Sequence, residues 1–156
     1  MSVNGIYRAG LTRRWHSNPD LCHVTDSVAE HSGRCARLLC ALHPRPSAAL
    51  LRAALTHDDG EAAPGPGDVS GPVKRAYPEL SARLDKLEAA ARVSLWGPDP
   101  DLTTEDRVWL AFVDRLDAYI VARHYAPHIL DRDGWPEARV WLDDMAEVLG
   151  TCHGLV

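Results

Sequence analysis

Apolar positions along this chain recur at three- and four-residue steps, the spacing of one helix face, in segment after segment. From Ser27 to Leu42 they are Val28, Cys35, Leu38, Leu39 and Leu42. Ser27, followed three residues later by Glu30, gives that helix a capping-box start. Ser47 to Thr56 is short and almost wholly apolar (Ala48, Ala49, Leu50, Leu51, Ala53, Ala54, Leu55), which predicts a central buried helix. Pro78 to Leu95 is amphipathic, with Leu80, Leu84, Leu87 and Ala91 on one stripe. A long helix capped by Thr104 and running to about Tyr125 is expected to turn Val108, Phe112, Leu116 and Tyr119 inward. Pro136 in a first turn and Gly150 as a stop frame a last helix through Val140, Leu142 and Val148. β-Branched residues are scattered and no run alternates, so strands are not expected. The pattern predicts an all-α fold: a compact helical bundle, one domain over residues 1–156.

The breaks between these segments are short, at His43–Pro46, Gly97–Thr104 and Asp131–Pro136, with one exception. From Asp59 to Pro72 the density of Gly and Pro predicts a loop of about fourteen residues without regular structure. Loops of that length in compact domains are commonly functional or disordered.

Composition narrows the function classes. At 156 residues, 46% hydrophobic and 25% charged, the chain has an ordinary globular balance. A domain of this size buries roughly 70% of the surface of its unfolded chain, enough for a core without disulfide staples. A net charge of −5 and a pI near 5.9 argue against a duplex-nucleic-acid binder held by phosphate contacts. No apolar run approaches the ~20 residues of a membrane span, and MSVNGIYRAG has no signal-peptide apolar region. A cytoplasmic protein is therefore expected, with no membrane partner and with its four cysteines reduced. Eight histidines are the first hint of chemistry.

Four residues stand out: His31, the doublet His57–Asp58, and Asp114, each in or at the end of a different helical segment. Imidazole and carboxylate together suit a divalent transition metal with positions left open for water and substrate. His57–Asp58 falls where an apolar helix runs into the loop, so the two side chains can splay around one ion. Asp114 lies in the longest amphipathic helix, and an inward carboxylate there is costly unless paired or metal-bound. Ordinary readings compete. His31 alone, between Glu30 and Ser32, reads as a surface histidine. Asp59 competes with Asp58, and Asp117, one turn on, competes with Asp114. Asp117 is otherwise expected to be an acceptor behind the ligands or an ion-pair partner of Arg115 or a neighbouring helix. Cys22–His23, Cys35, Cys40 and Cys152–His153 lack zinc-site spacing and read as structural. His124 and His128 sit four apart, but Pro127 breaks the helix between them.

The residues in order resemble a known family. His31 in AEHS, the doublet in THDDGE and Asp114 in FVDRLDAY are similar to the H…HD…D signature of the HD-domain metal phosphohydrolases. The resemblance is closest to the branch holding the bacterial 5′-deoxynucleotidases and the phage-type dATP triphosphohydrolases. Arg14–Trp15 matches the Arg-Trp pair before the first His in that branch. Glu61 matches the acid three residues after the doublet, and Gly67–Asp68 and Pro72–Val73–Lys74 match the segments that follow. The likeness runs from about Arg14 to Tyr119. The Glu61–Asp68 loop is longer than usual and the chain is short for the deoxynucleotidases.

The resemblance implies an HD-type bundle with a metal site between helices, ligated by His31, His57, Asp58 and Asp114. The cofactor would be a divalent ion such as Co, Mn or Zn. Glu61 would orient or deprotonate the attacking water, and Asp68 would protonate the leaving O5′ or complete the proton relay. Arg14 and Lys74 would meet phosphate charge, and Trp15 would pack a flat apolar wall against C2′, disfavouring a ribose hydroxyl. The substrate is then a small-molecule deoxynucleotide cut between O5′ and the α-phosphorus. The basic RRWH segment tilts the expectation toward triphosphate release from dATP, with dNMP hydrolysis as the alternative. A non-catalytic nucleotide-binding or structural-metal domain is the reading from another class. Alarmone hydrolysis and cyclic-dinucleotide cleavage lack their further motifs. A homo-oligomer is expected, with Trp135 and Trp141 at its interface.

Overall fold

The structure is a computed structural model and describes residues 2–63 and 67–151. Among these the fold is all-α, and β-pairing is confined to one isolated bridge between Arg13 and Ser27. The helices are α1 (Val3–Gly10), α2 (Val28–Leu42), α3 (Ala48–Thr56), α4 (Gly71–Ala76), α5 (Pro78–Trp96), α6 (Thr104–Tyr125) and α7 (Trp135–Val148). Short 3₁₀ turns lie at Asp59–Ala62 and Pro127–Ile129.

The helix starts follow from local hydrogen bonding. Ser27 and Glu30 complete both halves of the capping box that opens α2, and the Ser47 hydroxyl accepts from the Leu50 amide at the start of α3. The long helix α6 is capped by Thr103 rather than Thr104. Thr103 is the residue with extended backbone, and it forms a reciprocal box with Asp106. Before α7, Gly134 has φ 86°, a left-handed conformation suited to glycine, and Pro136 follows in the first turn.

Helix α2 packs on α3 and α6, and α6 carries α7. Cys35, Leu39, Leu50, Phe112, Leu116 and Leu142 form the centre of the shared core. A smaller cluster joins Leu21 and Val24 to Val121, Ala122 and Ile129. The expected stripe on α5 is not buried: Leu84 is, but Leu80 and Leu87 remain 44% and 53% exposed. The reason is that α5 lies against the Asp59–Ala62 turn and not on the main core. Likewise α7 buries Leu142 and Ala146 while Val140 and Val148 face outward.

The Asp59–Pro72 segment is not devoid of regular structure. It opens as a 3₁₀ turn, and α4 begins at Gly71 with Pro72 in its first turn, where a missing amide costs no helix bond. Its residues 64–66, and the Cys152–His153 pair, lie outside the described residues. Trp135 and Trp141 are half-buried within the chain and do not form the open surface expected for self-association. Trp135 packs against Trp15 and Tyr119, and the Arg115 guanidinium lies 4.1 Å over the Trp141 ring. Among the described residues no helix is long and apolar enough to cross a membrane.

Candidate metal centre

Three elements bring the four expected ligands together. One turn after its cap, α2 presents His31, which is completely buried. It is not the surface histidine its polar neighbours imply, because this face of α2 turns toward α6 and buries Ser32 as well. At the end of α3, His57 is the C-cap and Asp58 begins the 3₁₀ turn. Asp114 comes from the middle of α6, with 46% of its side chain exposed. One donor atom from each of the four lies within 4.8 Å of the others.

Four of the five separations match neighbouring ligands of one ion, and the fifth, from His57 to Asp114, is longer. His31 Nε2 is 3.3 Å from His57 Nε2, 3.3 Å from Asp58 Oδ2 and 3.1 Å from Asp114 Oδ1. His57 Nε2 is 3.4 Å from Asp58 Oδ1 and 3.8 Å from Asp114 Oδ1. Bonds of about 2.1 Å to a common ion, at right or tetrahedral angles, set neighbouring donors about 3.0–3.4 Å apart.

Hydrogen bonds behind the rings fix which nitrogen faces this point. His31 Nδ1 is 2.7 Å from Asp117 Oδ2, and a carboxylate can only accept, so Nδ1 carries the proton. His57 Nδ1 donates to the Ala54 carbonyl at 2.9 Å. With both Nδ1 atoms donating, two Nε2 lone pairs and two carboxylates converge. Such a set demands a cation between its members, either a proton or a metal ion. Mixed nitrogen and oxygen donors fit a first-row divalent ion such as Co, Mn or Zn. The titration behaviour reflects the same demand. Burial opposes charge on His31, but its hydrogen bonds to Asp114, Asp117 and Asp58 outweigh burial and raise its pKa well above the ordinary histidine value. Burial also opposes charge on Asp114, and the bonds from His31 and His57 hold its pKa below the ordinary range.

Asp117 is buried and stands behind His31, paired with Arg34 at 2.6 Å rather than with Arg115. Arg34 reaches Asp26 with both terminal nitrogens, at 3.0 and 2.9 Å. Neither Arg34 nor Asp26 was expected to take part. For Arg34 a signal exists: it lies three residues after His31, as Asp117 lies three after Asp114, which places each pair on one helix face. Asp26 carries no such signal, because it precedes the cap in irregular chain. Two further supports surround the doublet. Arg92 donates to the His57 carbonyl at 3.1 Å, and Trp96 Nε1 donates to Asp59 at 2.7 Å. Asp59 is thereby turned to Trp96.

A cleft of about 310 Å³ opens beside the donors, and Asp114 belongs to both. Arg14, Trp15, Asp68 and Lys74 line it, and so do Arg75, Arg115 and Trp135. Trp15 has φ 64°, a strained conformation for a bulky residue. It is held there by its amide on Asp68 Oδ2 at 2.9 Å and its indole nitrogen on Asp26 Oδ2 at 3.2 Å. Arg14 is buried, 3.4 Å from Asp26 and 3.6 Å from Asp117, with its guanidinium 4.9 Å over the Trp15 ring. Lys74 lies 3.7 Å from Glu88.

Glu61 is buried in the turn that follows the doublet, and its Oε2 has no hydrogen-bond partner among the described residues. Burial and then the charges of Asp58 and Asp68 push its pKa up to about 9. Cys35 Sγ sits 3.7 Å from both His31 ring nitrogens and forms, with His31 and His57, a second group of donors within reach of one ion; without an ion, burial raises its pKa. Cys22 and Cys40 are exposed free thiols. His124 stacks edge-on against Tyr125, whereas His128 faces Asp20 at 3.9 Å, so the two serve different surroundings.

Comparison of the chain with protein-family models, with curated proteins and with solved structures returns no match.

Proposed function

We propose that this protein is a metal-dependent phosphohydrolase acting on the 5′-phosphate ester of 2′-deoxynucleotides. The observation that carries the reading is the convergence of His31, His57, Asp58 and Asp114 on one point at the edge of a cleft lined by Trp15 and cationic side chains. The resemblance of these residues, in order, to the HD-domain phosphohydrolases supplies the substrate class. The four ligands would hold one divalent ion. When bound, that ion supplies Lewis acidity, making water a better nucleophile and polarising a phosphoryl oxygen.

The chain's own residues supply the rest. Glu61, buried beside Asp58, would orient the attacking water and, once ionised next to the bound cation, accept its proton. Asp68 keeps Trp15 in place with one oxygen and lines the cleft, where it would relay to the leaving O5′ the proton that Glu61 takes from water. Trp15 offers the sugar a flat apolar wall, against which a 2′-hydroxyl would lose its hydrogen bonds. Lys74 and Arg14 line the cleft and add to the positive charge that Arg75 and Arg115 offer a phosphate.

The charge balance favours a monophosphate over the triphosphate favoured by the RRWH segment. Arg14 already faces two carboxylates, and Lys74 faces Glu88. That leaves Arg75, which meets the Asp133 carbonyl, and Arg115, which lies over Trp141, two charges that suit one phosphate dianion better than a triphosphate. The free thiols of Cys22, Cys35 and Cys40 fit a reducing, cytoplasmic setting.

The test is a panel of dNMPs and dNTPs with their ribose counterparts, each incubated with Mn²⁺, Co²⁺ or Zn²⁺ and resolved by chromatography. Orthophosphate from dNMPs is expected. Triphosphate from dNTPs would move the substrate while keeping the chemistry. Metal binding without turnover of any member would make the domain a nucleotide-binding or structural-metal module.

A further inference from the structure

Behind the proposed ligands runs a buried network of charge that reaches the wall of the cleft. Asp117 Oδ2 holds His31 Nδ1 at 2.7 Å. The Arg34 guanidinium grips both Asp117 oxygens, at 2.6 and 3.1 Å, and both Asp26 oxygens, at 3.0 and 2.9 Å. Asp26 Oδ2 in turn accepts from the Trp15 indole at 3.2 Å and from Arg14 at 3.4 Å. Asp26 and Asp117 are 4% and 2% exposed, so each depends on these partners to remain charged.

We infer that Arg34 and Asp26 are positioning residues for metal binding, tying the orientation of the His31 ring to Trp15 and Arg14 in the cleft. The inference rests on His31 being a metal ligand. Its physical basis is the fixed fork of a guanidinium, which satisfies two carboxylates in one geometry; a lysine keeps the charge but not the fork. With the fork set, Asp117 aims the ring and raises the donor strength of Nε2. Asp26 touches none of the proposed ligands, so an effect of Asp26 on metal affinity must pass through its partners Arg34, Arg14, Trp15 and the Ser27 amide, and Arg34→Lys isolates the guanidinium among them.

Calorimetric titration of the full chain with Mn²⁺, without substrate, reads this directly. Asp117→Asn is expected to weaken Mn²⁺ about 10–100-fold. Asp26→Asn, one link further away, is expected to weaken it about 2–30-fold. The double variant should lose less than the product of the two, since both act through one path. If Asp26→Asn fails to fold by circular dichroism, Arg34→Lys takes its place, with a loss of the same order expected. Wild-type Mn²⁺ affinity in folded Asp26→Asn, or in folded Arg34→Lys, overturns the inference while the functional reading stands. A wild-type chain that binds no Mn²⁺ overturns the functional reading itself.

Discussion

At the scale of single residues, what matters is which atom each side chain leaves facing the common point. Asp117 and the Ala54 carbonyl take the Nδ1 protons of His31 and His57, so both rings offer Nε2. Glu61 contributes differently, as a buried carboxyl beside Asp58 whose pKa rises from 4.5 to about 9. Between these values the unfolded chain ionises Glu61 while the folded, metal-free chain keeps it protonated. The unfolded state therefore binds fewer protons, and stability falls as pH rises. Glu61→Gln removes that loss. In chelator-treated protein its Tm should match wild type near pH 4.5 and exceed it increasingly up to pH 8, following a stability difference that grows by up to about 1.4 kcal/mol per pH unit. With metal restored, the same variant should lose about 10²–10⁴-fold in turnover. A constant Tm difference across pH would remove the burial argument, and wild-type kcat would remove Glu61 from the chemistry. The four residues that converge were legible in the sequence through residue type and order. An inward carboxylate on α6 does not mark the converging residue, because the buried one is Asp117 and Asp114 keeps its face to the cleft. Periodicity places both on roughly one side and cannot say which meets a buried arginine.

At the scale of elements, the site depends on how closely α5 approaches the turn that carries Glu61. A Cβ on Gly60 would collide with the backbone of Glu88, its carbonyl carbon at 2.7 Å and its Cα at 2.9 Å. Backbone cannot swing aside as a side chain can, so Gly60→Ala must separate the two elements. Overpacking of this kind costs about 1–3 kcal/mol, and each kcal/mol lowers Tm by about 2–4 °C in a chain of this length. Turnover should fall with Tm as Glu61 is displaced, and an unchanged Tm in Gly60→Ala would contradict the close approach. The longer helices could be read from the sequence, since caps and apolar periodicity agree at Ser27, Ser47 and Pro136. The short helices α1 and α4 could not, having too few turns to show a period. Nor could the burial of α5: its leucines have helical spacing, but the turn it packs on is small and covers only Leu84.

At the scale of the whole molecule, a chain of net charge −5 gathers Arg14, Lys74, Arg75 and Arg115 around one cleft beside an acidic metal set. On the proposed reading, that arrangement would draw an anion toward the converging His and Asp donors within an acidic protein. The account stands on the metal. The most direct measurement is calorimetric titration of Mn²⁺ into chelator-treated wild-type protein and into His57→Ala and Asp114→Ala, with folding of each checked by circular dichroism. The account requires one ion per wild-type chain and abolished binding in both folded variants; wild-type protein that takes up no ion, or variants that bind one ion as wild type does, would contradict it.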